Sequence, residues 1–204
     1  MHRQATHMRV LVFAMSPEDS ATAARVIARS RLEAQAITSA QQLREELAAG
    51  AGALLVMEEV LVGPVLAAVM EHLTTQPAWS DLPILMMTKR GADSVEAQRA
   101  VEHLGNVTLL ERPVRTLALV SALHAALRGR KRQYEVRALN ERKDQMIATL
   151  AHELRNPLAP ISNAILVLQR MYPDPKGANL MEIIKRQTTH LKRLVDDLLD
   201  VARI

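Results

Sequence analysis

The N-terminal part of the chain alternates between short apolar runs and longer segments in which apolar residues recur with helical spacing. The apolar runs predict five strands, at 9–14, 34–38, 53–57, 83–88 and 107–110. The other segments predict helices at 16–30, 39–50, 65–75 and 93–103, and one more from 116 onward. Because five strands alternate with five helices, the pattern predicts an α/β domain with a doubly wound, five-stranded parallel sheet.

Local signals indicate where two of these helices begin. Ser16 before Pro17 is typical of an N-cap with proline at the first helical position. Ser39 and Gln42 have the spacing of a capping box, and Gly50 is suited to end the helix that follows them.

The C-terminal part has two apolar stripes at helical spacing. The first stripe consists of Ile147, Leu150, Ala151, Leu154, Leu158, Ile161, Ile165 and Leu168. The second consists of Leu180, Ile184, Leu191, Val195, Leu198 and Ala202. The prolines and glycine of residues 172–177 predict a turn between the stripes, so we expect an all-α antiparallel hairpin.

Two helices alone cannot cover both stripes. A fully buried Leu or Ile contributes about 1.5–3 kcal/mol, so several left exposed would rival a domain's whole stability of about 5–15 kcal/mol. We therefore expect a homodimer in which two hairpins form a four-helix bundle.

A histidine, an acid and an amide lie close together in the first of these helices, within the stretch MIATLAHELRNPLAPI (146–161). His152 points about 140° away from the centre of the apolar stripe, toward solvent. Asn156 lies one turn further along the same face, and Arg155 follows His152 by three residues. Any group attached to the imidazole would meet both side chains.

The chemistry of His152 favours phosphorylation. The unperturbed pKa of histidine is about 6.5, so at neutral pH much of the imidazole is neutral and has a nitrogen lone pair that can attack phosphorus. Glu153 can accept a hydrogen bond from Nδ1–H and so leave Nε2 as the nucleophile. Metal binding is excluded because no second histidine, cysteine or acid cluster stands at ligand spacing around His152.

This motif resembles the H-box of sensor histidine kinases, in their dimerization and phosphoacceptor domain. The resemblance covers residues 141–204 and includes the H-E-x-x-N pattern followed by proline. It implies that His152 is the phosphoacceptor, that Glu153 is the general base, and that Asn156 orients a water to dephosphorylate a partner response regulator. It also implies a separate ATP-binding domain that uses ATP and Mg²⁺, in cis or in trans. This chain itself is expected to bind no cofactor and no metal.

Two prolines follow the histidine. Pro157 removes the backbone donor to the Glu153 carbonyl and Pro160 does the same to Asn156, so we expect the helix to bend just beyond His152. A bend would let the site adjust between kinase, phosphotransfer and phosphatase geometries, or it has no function; both alternatives stay open. Arg155 and Pro157 are expected to support the site.

Residues 8–128 resemble the receiver domain of response regulators. Thr88, at the end of the fourth strand, matches the family's switch hydroxyl, and Arg112-Pro113, after the fifth strand, matches its Lys-Pro pair. The resemblance implies a flavodoxin-like fold.

The rest of the receiver site is degenerate. Receivers hold Mg²⁺ with an acidic pair after the first strand, where this chain has only apolar residues at 13–15. The position of the phosphoacceptor aspartate is taken by Glu58, or by Glu59 if the register slips. We therefore predict a pseudo-receiver that is not phosphorylated and that acts by binding. The glutamate either mimics a phosphorylated state or has no signalling role.

We predict a tail at 1–7, the pseudo-receiver at 8–128, a helical coiled-coil connector at 129–143 and the phosphoacceptor domain at 144–204. Residues 117–156 contain no proline and only one glycine, so one helix is expected to reach from the pseudo-receiver to His152. Its apolar residues give an imperfect seam, which predicts an adjustable coiled coil. The seam consists of Leu119, Leu123, Leu127, Tyr134, Leu139 and Met146.

Composition adds limits on location and partners. The chain has 204 residues, of which 49% are hydrophobic and 24% charged, and it has no cysteine. No apolar run approaches the roughly 18 residues of a membrane span, so we expect a cytoplasmic protein without membrane insertion. The net charge is +4 and no recognition helix is evident, so nucleic acid is not expected as a partner. The basic cluster at 128–132 is interpreted as a solvated face, and Trp79 is expected to pack locally.

Two functional interpretations stay open. No glycine follows Gly177, so the glycine-rich boxes of the family's ATP-binding domain are missing, and the apolar pattern still runs at Ile204. We expect the sensor and phosphoacceptor part of a longer histidine kinase of two-component signalling. The alternative is a non-enzymatic dimeric phosphotransfer or scaffold protein that a separate kinase phosphorylates.

Overall fold

The computed structural model describes residues 8–89, 102–171 and 175–201. The chain divides into two compact units, Met1–Val136 and Arg137–Ile204. In chain order the elements are β1 (Val10–Phe13), α1 (Pro17–Ala28), β2 (Ala34–Ala36), α2 (Ala40–Ala49), β3 (Ala53–Met57), α3 (Gly63–Thr75), β4 (Ile84–Thr88), β5 (Val107–Glu111), α4 (Thr116–Met171) and α5 (Pro175–Val201). A single 3₁₀ turn, Glu58–Val60, follows β3.

The first unit contains a five-stranded parallel sheet with the order β2-β1-β3-β4-β5. This is the flavodoxin-like order of doubly wound proteins. The predicted fold class is therefore confirmed. In such sheets the carboxyl ends of the strands form the edge at which functional groups gather.

Side chains of the strands alternate between two cores, one on each face of the sheet. In β3, Leu54 and Val56 pack with residues of α2 and α3, whereas Ala53 and Leu55 pack with residues of α1 and the first part of α4. Because both faces are covered, the strand is apolar at consecutive positions. This explains why the sequence shows apolar runs there.

Helix starts agree with the capping signals in most places. Ser16 Oγ accepts from the backbone N–H of Asp19 at 3.1 Å, as an N-cap does. Ser39 Oγ accepts from the N–H of Gln42 at 3.1 Å, but Gln42 Oε1 accepts from the N–H of Thr38 at 2.9 Å. The return bond of the capping box therefore reaches one residue further back than predicted.

Two helix starts differ from the predictions by two residues or more. Helix α3 begins at Gly63 instead of Val65, and α5 begins at Pro175, so residues 176 and 177 are helical and not part of the turn. Both starts place proline in the first turn, where its missing N–H costs nothing. The predicted helix at 93–103 lies mostly outside the described residues.

The first turns of α4 belong to the first unit's core and not to a coiled coil. Leu119, Leu123 and Leu127 are buried against the sheet with residues of α1. The prediction of a coiled-coil seam is wrong for these three residues, because the sheet itself provides the apolar face that covers them. The sequence could not distinguish these two partners.

Arg130 also holds α4 against the rest of the first unit, through a charged side chain. It is 3% exposed, and its guanidinium donates to Ser80 Oγ and Gln133 Oε1, both at 2.8 Å, and to the Ala51 carbonyl at 3.3 Å. The interpretation of the basic cluster as a solvated face is therefore wrong for Arg130. Its neighbours in the cluster, Arg128, Lys131 and Arg132, are exposed.

Two aromatic rings enclose the same guanidinium. Its central carbon lies 5.8 Å from the Trp79 ring centroid and 5.0 Å from that of Tyr134, and the ring centroids are 5.2 Å apart. Such cation–π contacts gain strength when they are shielded from water. The only tryptophan of the chain thus packs in a cluster that attaches α4 to the loop before β4.

Helix α4 continues through both prolines of the H-box, so neither interrupts the helix. The bend predicted just beyond His152 stays a prediction. Within the described ranges, no helix is both long and apolar enough to cross a membrane.

Candidate functional site

His152 lies on α4 in the second unit and its side chain is exposed. The preceding residue, Ala151, is completely buried, and Ile165 of the same helix is also buried. Because successive helical residues point about 100° apart, burial of Ala151 directs His152 toward solvent. An exposed imidazole is what a partner domain must reach in order to phosphorylate it.

The side chains around the imidazole are polar and accessible. Glu153 and Asn156 are both exposed, and Asn156 lies one helical turn from His152 on the same face. Pro157, directly after the amide, is also exposed. The helix therefore brings the predicted histidine, acid and amide together on one accessible surface.

Arg155 connects this surface to the second helix. Its guanidinium forms an ion pair with Asp196 of α5, and both side chains are about half-exposed. Asp196 was not among the predicted site residues. The acidic pair Asp196-Asp197, near the end of the second stripe, was the only sequence signal for a partner of Arg155. A sequence does not show which of the two acids faces the arginine.

The hairpin leaves much of its apolar surface uncovered. Val195 and Thr188 of α5 are buried, as are Ala151 and Ile165 of α4. Among the described residues of the second unit, thirteen large apolar side chains are 40% or more exposed in a single chain, namely Leu139, Met146, Leu150, Leu154, Ile161, Leu166, Val167, Leu168, Met171, Ile183, Ile184, Leu191 and Leu194. A patch of this extent is typical of an interface.

The residues of the predicted degenerate receiver site lie at the carboxyl edge of the sheet. The structure brings Thr88, at the end of β4, next to Arg112, whose backbone N–H donates to the Thr88 carbonyl at 2.9 Å. Arg112 is joined to Pro113 by a cis peptide bond. Glu58 approaches the same edge, since its Oε2 accepts from the N–H of Lys89 at 3.3 Å. All four predicted residues of this site are therefore close together.

Glu59 is the carboxylate that pairs with Arg112. The guanidinium donates to Glu59 Oε1, and Lys89 Nζ lies 3.4 Å from the same oxygen. Partial burial acts to raise the pKa of Glu59, but hydrogen bonds from Arg112, from the backbone of Glu59 and from Lys89, together with the positive charge of Arg112, outweigh it and hold the pKa below its usual 4.5. Glu59 is therefore ionised at neutral pH.

This arrangement lacks the acidic pair with which receivers hold Mg²⁺. In place of an acidic pair, Phe13 and Ala14 end the first strand, and the backbone N–H of Ala14 is bonded to Ser20 Oγ at 2.9 Å. Among the described residues, no group of three or more acids, histidines or cysteines is placed to hold a metal ion. Glu59, the second of the two candidate acceptor carboxylates, is already paired with the two cations Arg112 and Lys89.

Comparison with known proteins identifies the second unit. Residues 142–204 match the family described as His Kinase A (phospho-acceptor) domain. This segment is a histidine kinase phospho-acceptor domain. It is 41% identical over 54 residues to a sensory histidine kinase/phosphatase NtrB of Vibrio alginolyticus, a match that covers 26% of this chain and 15% of the relative.

A second relative gives the same result. A probable sensor histidine kinase TcrY of Mycobacterium tuberculosis is 41% identical over 61 residues, which are 29% of this chain and 13% of that protein. The chain thus matches only a small part of the length of these relatives. Both relatives are named as histidine kinases, which supports a phospho-acceptor domain of two-component signalling.

Among solved structures, NtrX from Brucella abortus in complex with ADP is similar to this chain. The TM-score is 0.54 at 19% sequence identity, and the match covers 76% of this chain and 35% of that one. At this identity the likeness concerns the fold alone. Together with the strand order, it agrees with a flavodoxin-like fold for the first unit.

Proposed function

We propose that His152 accepts the γ-phosphoryl group of ATP held by a kinase catalytic domain and passes it to an aspartate of a response regulator. The observation that carries this proposal is the exposed His152, next to Glu153 and one turn from Asn156, within a phospho-acceptor domain. In the first step the Nε2 lone pair forms a bond to phosphorus, while the bond to the ADP oxygen breaks and ADP leaves. In the second step the aspartate attacks phosphorus and the P–N bond breaks.

Each neighbouring side chain has a proposed role in these steps. Glu153 accepts a hydrogen bond from Nδ1–H and stabilises the imidazolium that forms as phosphorus is attacked. Asn156 orients a water toward the phosphorylated aspartate of the regulator when that group is hydrolysed. ATP and Mg²⁺ would be held by the catalytic domain with which this phospho-acceptor domain works.

Dimerization completes the proposed domain. The exposed stripe residues Leu150, Leu154 and Ile161 of α4 and Ile184 and Leu191 of α5 need an apolar partner. A second copy of the hairpin offers the same stripes and forms a four-helix bundle with it.

The receiver-like domain is proposed to regulate without being phosphorylated. Its carboxylate Glu59 already pairs with Arg112 and Lys89. Since this carboxylate is already paired and Phe13 and Ala14 stand where receivers have an acidic pair, we propose that the domain is not phosphorylated and acts through binding.

The experiment that tests the proposal is a phosphoryl chase. The chain is incubated with a kinase catalytic domain and labelled ATP, ADP is removed, and a response regulator is added. Label should move from a base-stable, acid-labile form on this chain to the base-labile form of an acyl phosphate. Label that never leaves the chain would contradict phosphotransfer.

Two variants separate the proposed roles in this chase. Glu153→Ala should slow labelling by about 10²–10⁴-fold, as expected when a general base is lost. Asn156→Ala should change the rate of labelling by no more than a few-fold relative to wild type. It should mainly reduce the dephosphorylation of the regulator. Equal effects of both variants on labelling would contradict this division.

A further inference from the structure

Arg155 lies between the carboxylate of Asp196 and the place that a phosphoryl group on His152 would take. Its guanidinium pairs with Asp196 of α5. It also follows His152 by three residues on α4, and side chains at this spacing are neighbours on the helix surface. The guanidinium is thus within reach of a carboxylate on one side and of a phosphoryl group on His152 on the other.

The ion pair with Asp196 is accessible to competition. The side chains of Arg155 and Asp196 are 39% and 45% exposed. Ion pairs in contact with water contribute little to stability. A phosphoryl group on a side chain carries roughly −1.5 to −2 charges near neutral pH and three acceptor oxygens. Arginine matches such a group with its planar fork of donors. The phosphoryl group is therefore the stronger acceptor of the two.

We propose that Asp196 is a positioning residue, which holds Arg155 beside His152 and yields it to the phosphoryl group once His152 is phosphorylated. Phosphorylation then replaces an ion pair between α4 and α5 by one within α4. The link between the two helices is lost at the same moment, so the hairpin senses the state of its histidine. This inference rests on the proposed function.

The test is a titration of the phosphoryl group by ³¹P NMR on the whole 204-residue chain. Phosphoramidate serves as donor: its P–N bond breaks, ammonia leaves, and a new bond forms between phosphorus and the His152 Nε2. A nearby cation favours the dianion and so lowers the phosphoryl pKa. Arg155→Gln should raise this pKa, and Asp196→Asn should lower it, each by about 0.3–1 unit. Asp196→Glu should restore the wild-type value.

A double variant separates positioning from a general charge effect. Removing any carboxylate near a phosphoryl group lowers its pKa, with or without Arg155. If Asp196 acts through the guanidinium, Asp196→Asn should have little effect in the Arg155→Gln background. Asp197→Asn, which removes the same charge from the adjacent residue, should shift the pKa less than Asp196→Asn. Circular dichroism of each variant confirms that the helices are retained.

Either of two pKa results would overturn the inference. One is an identical phosphoryl pKa in the wild type and in Asp196→Asn; the other is an equal shift by Asp196→Asn with and without Arg155. Failure of phosphoramidate to modify His152 would also overturn it, since the imidazole would then be inaccessible. Failure of the kinase domain to label His152 would contradict the proposed function alone, because the chemical donor needs no kinase.

Discussion

Arg112 and Glu59 form an ion pair at the carboxyl edge of the sheet, where the guanidinium at the end of β5 reaches the carboxylate in the turn after β3. Arg112 Nε also donates to the Thr88 carbonyl at the end of β4, at 3.4 Å. One side chain therefore ties the ends of three strands together. The pair occupies the region where the sequence predicted a degenerate phosphoacceptor site.

Removing the carboxylate of this pair should destabilise the first unit. Glu59→Gln leaves Arg112 without its charged partner in a half-buried position, and we expect a loss of about 1–3 kcal/mol in the free energy of unfolding at pH 7. Urea denaturation followed by Trp79 fluorescence measures this. Glu45→Gln, on the exposed surface of α2, is the matched control and should change stability by less than about 0.5 kcal/mol.

The same variant should alter the pH dependence of stability. The pKa of Glu59 is lower in the folded state than its usual 4.5, so the folded state binds its proton less readily than the unfolded state does. The stabilisation is present above pH 4.5 and is lost as the pH falls through the folded-state pKa. The difference between wild type and Glu59→Gln should therefore shrink in acid below this value. A difference that grows in acid would contradict the assignment.

Arg130 should be among the most sensitive residues of α4. Arg130→Met keeps the aliphatic packing but leaves Ser80 and the Ala51 carbonyl without their donor, and we expect a loss of about 2–4 kcal/mol. Arg130→Lys should restore little of it, because an ammonium lacks the planar fork of donors. Arg132→Met, at an exposed position of the same helix, should be nearly neutral. Equal stability of the two methionine variants would contradict a structural role for Arg130.

Assembly through the exposed stripes can be tested with one substitution. Leu154 is 50% exposed on α4, and an aspartate there places a charge in the proposed bundle interface. Light scattering at micromolar concentration should give twice the chain mass for the wild type and a lower mass for Leu154→Asp. Leu117→Asp, at an 81% exposed position of the first unit, should leave the mass unchanged. A monomeric wild type would contradict the bundle.

The first unit should be inert to phosphoryl donors. It lacks the acidic pair that holds Mg²⁺ in receivers, and Glu59 is neutralised by Arg112 and Lys89. Acetyl phosphate or beryllofluoride with Mg²⁺ should therefore leave the NMR signals near Glu58 and Thr88 unchanged. A Mg²⁺-dependent acyl phosphate in this unit would contradict the pseudo-receiver interpretation.

The sheet and the phosphoacceptor helix could be predicted from the sequence because their signals are local. Apolar runs such as 53–57 and cap residues such as Ser39 depend on neighbours within a few positions. The exposure of His152 follows from the helical period of the residues around it. These elements lie where the patterns indicated, apart from small shifts at proline-containing helix starts.

The pairings across distant segments could not be predicted in this way. Arg130 reaches residues that precede it by 50 positions or more, and Asp196 lies 41 positions beyond Arg155. Hydrophobic spacing is the same for a leucine that packs on a sheet and for one in a coiled coil. The spacing therefore predicts a coiled-coil partner for Leu123, whereas the structure packs it against the sheet. Charge clusters likewise do not show which member is buried.

The central claim is that His152 carries the phosphoryl group, and locating the label tests it most directly. Wild-type chain, His152→Gln and His190→Gln are incubated with a kinase catalytic domain and γ-labelled ATP; His190 is an exposed histidine of α5. The account predicts acid-labile, base-stable label on the wild type and on His190→Gln, and none on His152→Gln or on the wild type without the catalytic domain. Label that survives His152→Gln, or that depends on His190, would contradict it.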